Sequence, residues 1–414
     1  MERKIIKNTF FLGSANFLAR VIGFFYFIFL GRVLGVENFG HYNFAIALVY
    51  NFYPVADFGV ERLILRDLSK DTSKAQEYFQ KIIPLRVVLA IISIILVSLL
   101  GFFLSKNNFD RLNVFIFSLC LLPWTFNQLV AGIANAFERM EIQALAIVLM
   151  SSLVAFLGGV TAGFKGNVTL VLFSAFLGNL IVSLIMYNLA KKIGLKFKID
   201  KDFVFWRKII KESVVFASIT IIAVFYLRMG VVMINWFKGA YWTGIYSSSF
   251  KFLEASLLLP QSFALALFPQ TARLLKANKV HHKIKLKENY LKSLSLIFVF
   301  SLIYGLIFWF FSSLIIKFSY GSSYLEGEKV MKFLGIVAGL FFLNSLPGNI
   351  IQNTAEIKKF VWWLGGKLIL HFLLCLYFIP RLGLMGAVLS LGISEFYGLL
   401  VNNWFVFKIL KAKS

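Results

Sequence analysis

Residues 31–70, GRVLGVENFGHYNFAIALVYNFYPVADFGVERLILRDLSK, decide the fold. A short polar turn leads into an apolar segment that carries Pro54 and Asp57, and that segment ends in a run of alternating charge. An α-helix rises 1.5 Å per residue, so about 20 apolar residues cross a hydrocarbon core of ~30 Å. Runs of that length recur along nearly the whole chain of 414 residues, which is 59% hydrophobic with a mean hydropathy of +0.80. Soluble domains sit nearer about 45–50% apolar. A helical polytopic membrane protein is therefore predicted, because a transmembrane β-barrel would show short alternating segments instead.

Hydropathy places about 12 spans, near 8–31, 40–60, 82–104, 113–136, 142–163, 168–189, 212–237, 241–267, 293–316, 330–352, 359–379 and 384–407. About 29 of the 43 basic residues fall in alternate connections, on the side of both termini, and about 9 fall on the opposite side. That asymmetry predicts cytoplasmic termini in the cell (cytoplasmic or inner) membrane. It also accounts for the net charge of +24 without a nucleic-acid partner. The outer connections are short, which argues against an enzyme that holds catalytic groups outside the membrane. Cys120 and Cys375 lie within apolar runs and read as small core residues. The first span is too long, and too poor in small residues at its end, for a cleaved signal peptide.

A repeat organises the chain. Gly35-Val-Glu-Asn-Phe-Gly40-His-Tyr42 lies between the first and second spans, and Gly239-Ala-Tyr-Trp-Thr-Gly244-Ile-Tyr246 lies between the seventh and eighth, 204 residues on. Glycine frees the backbone for a tight outer turn, and tyrosine suits the interface. Asn135-Ala-Phe-Glu138 and Asn353-Thr-Ala-Glu356 form a second, weaker echo. Six spans separate the members of each pair, an even number, so the halves share one orientation. The expected architecture is all-α, with two six-helix lobes related by a pseudo-two-fold axis along the membrane normal. Residues 1–195 would form the first lobe, 196–211 a basic cytoplasmic linker and 212–414 the second lobe.

Charges within the spans mark candidate sites, because each costs about 2.5–3.5 kcal/mol at a helix centre even on a mild scale. Arg20 shares a face with Gly13, Asn16 and Gly23, and it either lines a cavity or bonds a neighbouring carbonyl. Arg228 and Lys251 lie at similar depth from the outer side. Lys251 shares a face with Ser247, Glu254 and Gln261, so it either lines a cavity or pairs with Glu254. Lys367 lies one turn from His371, and Glu395 lies beside Ser394. Asp57 follows Pro54, which removes a backbone hydrogen bond and kinks the helix. It either couples H⁺ or Na⁺ or caps the inner end for Arg62 or Arg66. Arg20, Arg228, Lys251 and Lys367 are thus the candidate cationic cavity for an anionic substrate. Asp57, Glu254 and Glu395 are the candidates for ion coupling or gating, and Gly35, Gly40, Gly239, Gly244 and Pro54 for hinges and turns. His281-His282 lies in a basic connection and reads as solvated. No metal-ligand spacing, nucleophile–base pattern or nucleotide-binding loop occurs.

Several motifs resemble those of the polysaccharide-transporter (Wzx-type) flippases of the multidrug/oligosaccharidyl-lipid/polysaccharide (MOP) exporter superfamily. These are residues 31–42, Asp57-Phe58-Gly59 followed by Arg66-Asp67, residues 132–140, Phe268-Pro269 followed by Arg273, and residues 379–387 followed by Ser394-Glu395. The resemblance implies alternating access around a central cavity. It also implies transport of a polyprenyl-pyrophosphate-linked glycan from the inner to the outer leaflet, with membrane lipid and a polysaccharide polymerase as further partners. The family often carries an acid just after the arginine of its seventh span, whereas here Met229 and Gly230 follow Arg228. An ion-coupled multidrug or metabolite antiporter of the same superfamily is the alternative. No cofactor is expected beyond H⁺ or Na⁺ coupling.

Orientation can be read in cells. In a background lacking Cys120 and Cys375, a cysteine at Asn38 should react with an impermeant maleimide from outside, and one at Ser73 only after permeabilisation. The reverse pattern would overturn the topology.

Overall fold

The computed structural model describes residues 2–258, 260, 262–263, 270–271, 273, 280–352, 354 and 357–411. Among them all regular structure is helical. Lipid offers no water to backbone N–H and C=O groups, so each apolar run must satisfy its own, and the helix does this within one segment. Fourteen α-helices are described: α1 (Glu2–Tyr50), α2 (Tyr53–Asp57), α3 (Val60–Leu68), α4 (Ala75–Leu104), α5 (Asn108–Ser118), α6 (Leu121–Ala136), α7 (Met140–Lys165), α8 (Val168–Lys192), α9 (Phe203–Lys238), α10 (Ala240–Ser256), α11 (Val280–Ser319), α12 (Glu328–Gln352), α13 (Ile357–Leu382) and α14 (Leu384–Lys411). The chain forms two compact units, Met1–Arg228 and Met229–Ser414, that divide within α9.

Ten helical stretches among the described residues are long and apolar enough to cross a membrane. The first, Phe10–Leu68, has 59 residues, long enough for two crossings. Gly35 is non-helical there, with φ 73° and ψ 170°. The rings of Phe27 and Phe39 meet edge to face with centroids 4.8 Å apart. Twelve residues of unbroken helix would separate them by about 18 Å, so the chain reverses at Gly35. The span expected near 241–267 begins as α10, and most of its remainder lies outside the described residues, as do Gln261, Phe268, Pro269, Asn353 and Glu356.

The same break recurs in the second unit, where Gly239 separates α9 from α10 with φ 90° and ψ −179°. This region of backbone space is essentially closed to residues with a Cβ. The first glycine of each repeated turn is therefore required by conformation. Gly40 and Gly244 lie inside the following helices and are buried. Tyr42 and Tyr246 are buried at 6% and 1% exposure, so the repeated tyrosine is a packing residue and not an interfacial one.

Two further breaks shape the first unit. The expected span near 113–136 is two helices, because Pro123 clashes with the carbonyl four residues back and cannot donate to it. The turn at Leu119 and Cys120 closes with tighter bonds to Ile116 and Phe117. Pro54 sits in the first turn of α2, where its missing N–H is no loss. Phe58 and Gly59 then adopt left-handed backbone, φ 48° and 71°, before α3 starts. A Cβ on Gly59 would lie 2.8 Å from Ala217 N and 2.9 Å from Ser213 O, so α9 is seated directly against this turn. The charged run after it is amphipathic: Val60, Leu63, Ile64 and Leu68 are fully buried, against Phe79, Ile82, Leu129, Ile133 and Ile209.

Small residues let helices approach closely in each unit, as lipid-embedded packing requires. Gly158 of α7 faces Tyr26, and Gly335 and Gly339 of α12 face Phe308 and Ser301 of α11. The basic linker is tied down by hydrogen bonds to α4. Gln76 and Lys196 exchange two hydrogen bonds of 2.8 Å, and Trp206 Nε1 donates to Lys81 O at 2.7 Å. Asp202 caps α9 by accepting from Phe205 N–H at 2.9 Å, and this bond together with Lys81 holds its carboxyl below the usual carboxylate range.

Glycine substitutions separate backbone strain from crowding. Gly35→Ala and Gly239→Ala meet no atom within 4 Å, so each should lose only the conformational term, about 1–3 kcal/mol. Gly59→Ala adds a backbone clash and should melt lowest. Gly163→Ala, helical and uncrowded, should be neutral or stabilising by up to about 1 kcal/mol. Thermal unfolding in detergent reads this order.

Candidate functional site

A charge inside the hydrocarbon must find a partner or water, so the site is built from the charges of the spans upward. In the first unit Asp57 ends α2 and is met by Arg86 of α4. Arg86 Nη2 donates to Asp57 Oδ1 at 2.5 Å, and Nη1 donates to Thr125 O at 2.8 Å. Arg86 is 1% exposed, and Asp57 Oδ1 also accepts from Glu61 N–H at 3.3 Å. This corrects the expected capping of Arg62 or Arg66 by Asp57. Arg66 instead bonds Asp67 at 2.7 Å and Glu212, and Arg62 lies over the Phe216 ring at 6.0 Å. Asp57 thus joins α2, α4 and α6 through one buried arginine.

Arg228, on α9, stands over the face of Tyr50, with the guanidinium carbon 5.4 Å from the ring centroid. Tyr50 belongs to a run of rings. Tyr53 lies 4.9 Å from it, Phe117 lies 5.9 Å away edge-on, and Trp124 meets Tyr53 edge-on at 4.3 Å. Arg20 lies in the first crossing of α1 on an exposed face. Asn16, one turn before it, donates to Leu12 O at 2.8 Å.

In the second unit Lys251 and Glu254 of α10 approach to 3.5 Å, both partly buried. Lys367 of α13 donates to Glu395 Oε1 of α14 at 2.6 Å. Asn344 of α12 donates to Glu395 Oε2 at 2.7 Å, and Asn402 donates to Asn344 Oδ1 at 3.0 Å. Glu395 is 1% exposed, so this network welds three helices in the interior. Lys367 and Glu395, read from the sequence as a cavity cation and a separate coupling acid, are one ion pair. Beside them the buried His371 ring lies 3.3 Å from Ser394 Oγ and 3.7 Å from Cys375 Sγ.

Two partnerships escaped the sequence reading. Arg86 was signalled by its place in an apolar run, but its partner lies 29 residues upstream. His41, in the repeated turn, approaches Asp110 at 2.6 Å across 69 residues. No local pattern announces that pair. Among the described residues no group of three or more His, Cys, Asp and Glu side chains could hold a metal ion.

These features define a multi-pass helical membrane protein with charged clusters in its interior. Its backbone has the fold of MOP-superfamily transporters. An inward-facing multidrug transporter of the MATE family matches with TM-score 0.74 at 15% identity, covering 96% of both chains. The lipid II flippase MurJ matches with TM-score 0.71 at 17% identity, covering 96% of this chain and 88% of the other. The chain belongs to the family described as "Polysaccharide biosynthesis protein", which matches residues 5–275. It is 22% identical over 412 residues to the capsular polysaccharide biosynthesis protein CapF of Staphylococcus aureus, covering 98% of this chain and all of that one. It is 24% identical over 396 residues to a putative O-antigen transporter of Shigella flexneri, covering 91% of each. The resemblance read from the motifs is borne out.

The Asp57–Arg86 pair has a defined signature. Asp57→Ala or Arg86→Ala strands one buried charge and should cost about 3–5 kcal/mol. The double Asp57→Leu/Arg86→Met replaces both charges with apolar groups and should cost clearly less than either. Denaturant or thermal unfolding of the purified variants gives the comparison.

Proposed function

We propose that this protein is a flippase that carries a polyprenyl-pyrophosphate-linked oligosaccharide repeat unit from the inner to the outer leaflet for surface polysaccharide biosynthesis. Family membership and the capsular and O-antigen relatives support this reading. The observation that carries it is an excess of base over acid deep in the spans. Arg20, Arg86, Arg228, Lys251 and Lys367 lie away from the span ends, against Asp57, Glu254 and Glu395. A net positive interior suits a pyrophosphate and acidic sugars, and it opposes cationic drugs.

Within that reading Arg228 and Lys251 contact the phosphates, and Arg20, mid-span in the first segment, adds a further positive charge. Alternating access exposes the site first to one face of the membrane and then to the other. Coupling to H⁺ or Na⁺ falls to Asp57, Glu254 or Glu395. The protein performs no chemistry on its substrate, keeps both termini in the cytoplasm and works beside a polymerase that consumes the flipped unit. The drug-antiporter alternative needs interior acids that bind cations, and here Asp57, Glu254 and Glu395 are each engaged by a base.

The test is the double variant Arg228→Ala/Lys251→Ala at normal membrane abundance. Surface polysaccharide should fall at least about 10-fold, and the lipid-linked unit should accumulate in the inner leaflet, since losing one charged contact to phosphate costs about 1.5–3 kcal/mol. Normal export by that variant would sink the site assignment. Altered susceptibility to cationic drugs on deletion of the protein, with polysaccharide unchanged, would favour the antiporter.

A further inference from the structure

The segment that joins α8 to α9 carries charge and apolar surface together. Residues 191–211, KKIGLKFKIDKDFVFWRKIIK, hold eight Lys and Arg against two acids, Asp200 and Asp202. All eight bases are exposed. Asp202 is engaged elsewhere, by the cap of α9 and by Lys81 at 3.0 Å. Among the bases stand Phe197, Ile199, Phe203 and Val204, exposed at 49%, 56%, 70% and 83%.

Packing holds this surface in place. The Gln76 amide grips Lys196 N–H and C=O, and Asp200 N–H donates to Gln80 O at 3.3 Å. The Phe197 ring meets Phe79 and Tyr187 with centroids 6.3 and 6.1 Å apart. Phe203 meets Trp206 edge-on at 5.0 Å, and the Trp206 indole is itself bonded to Lys81 O. The backbone beneath the exposed side chains is therefore fixed to α4. On either side the chain changes from uncharged to charged. It is uncharged from Val168 to Ala190 before Lys191, and again from Ser213 to Leu227 after Lys211 and Glu212. The segment thus lies where the two spans leave the hydrocarbon, at the headgroup layer.

Two properties of this surface need an answer. A free anion would neutralise the lysines and leave the apolar side chains in water. Hydrocarbon alone would cover the apolar side chains and leave the charges unanswered. An anionic phospholipid answers both, because its phosphate sits at the level of the ammonium groups and its acyl chains begin just below. Lysine stems lie along apolar surface while their heads stay at the interface, and basic segments beside a span attract anionic headgroups.

We propose that residues 196–208 form a binding site for an anionic phospholipid of the surrounding membrane. Lys196, Lys198 and Lys201 take its phosphate, and Phe203 and Val204 lie against its acyl chains. The site does not depend on which substrate the protein carries.

Native mass spectrometry of the full chain in neutral detergent, titrated with phosphatidylglycerol or phosphatidylcholine, tests this. Phosphatidylglycerol should bind at least about 5-fold more tightly, which is the worth of one surface base on anionic lipid. The triple variant Lys196→Gln/Lys198→Gln/Lys201→Gln should lose at least about 5-fold for phosphatidylglycerol. A control, Lys70→Gln/Lys74→Gln/Arg139→Gln, removes as many exposed bases from other connections and should stay within about 2-fold of the wild type. Phe203→Ser/Val204→Ser keeps every charge and should weaken binding at least about 3-fold. Equal affinity for the two lipids, or an equal loss in the control, would overturn the site. So would unchanged binding in Phe203→Ser/Val204→Ser. Displacement of the lipid by inorganic phosphate would make it a free-anion site instead. Tighter binding of farnesyl pyrophosphate, lost in the same triple variant, would make it a surface for the carried lipid. The substituted side chains are all exposed, and the wild type gives a reading that needs no variant. Its phosphatidylglycerol affinity should fall as salt rises, and salt independence would refute the proposal.

Discussion

The structure depends on one constraint: hydrocarbon satisfies no polar group. Every backbone N–H and C=O in a span must be paired inside the protein, so a chain that is 59% hydrophobic becomes a set of helices. The chain can turn only where a residue tolerates leaving the helix. Gly35 and Gly239 do this with nearly the same φ and ψ, 204 residues apart. The repeat detected in the sequence is therefore a repeat of backbone geometry, with the following buried tyrosine as its packing anchor. Where proline interrupts instead, as at Pro123, the helix breaks without reversing and a tighter turn absorbs the lost bond.

The same constraint governs side chains. Asp57 with Arg86, Lys251 with Glu254, and Lys367 with Glu395 each bring opposite charges together inside the spans. Two of these pairs also capture backbone or amide groups, so they lock helices as well as neutralise charge. Asp57 and Arg86 hold α2, α4 and α6, while Lys367, Glu395 and Asn344 hold α13, α14 and α12. Arg228 stands over the aromatic ring of Tyr50.

Much of the fold was legible in the residues. Span positions follow from hydropathy because apolar length is a local property. The repeated turns follow from glycine spacing, because conformational freedom is local too. Span boundaries were less legible: the left-handed pair Phe58-Gly59 arises where α9 packs against the chain. Tyr42 and Tyr246 were misjudged as interfacial for the same reason, since burial is settled by neighbours distant in sequence.

Of the pairings among the candidate charges, the sequence offered Lys251 with Glu254, one helical turn apart, but not Asp57 with Arg86 or Lys367 with Glu395. By itself the sequence determined a helical membrane protein, its repeated turns and its kinship with polysaccharide transporters, because composition, periodicity and motif order are written along the chain. Only the tertiary structure decided which acid answers which base, that Arg86 belongs to Asp57, and that Arg228 rests on Tyr50. The physical reason is range: a hydrogen bond or a cation–π contact acts over a few ångströms, and only folding brings residues 29 or 178 positions apart to that distance.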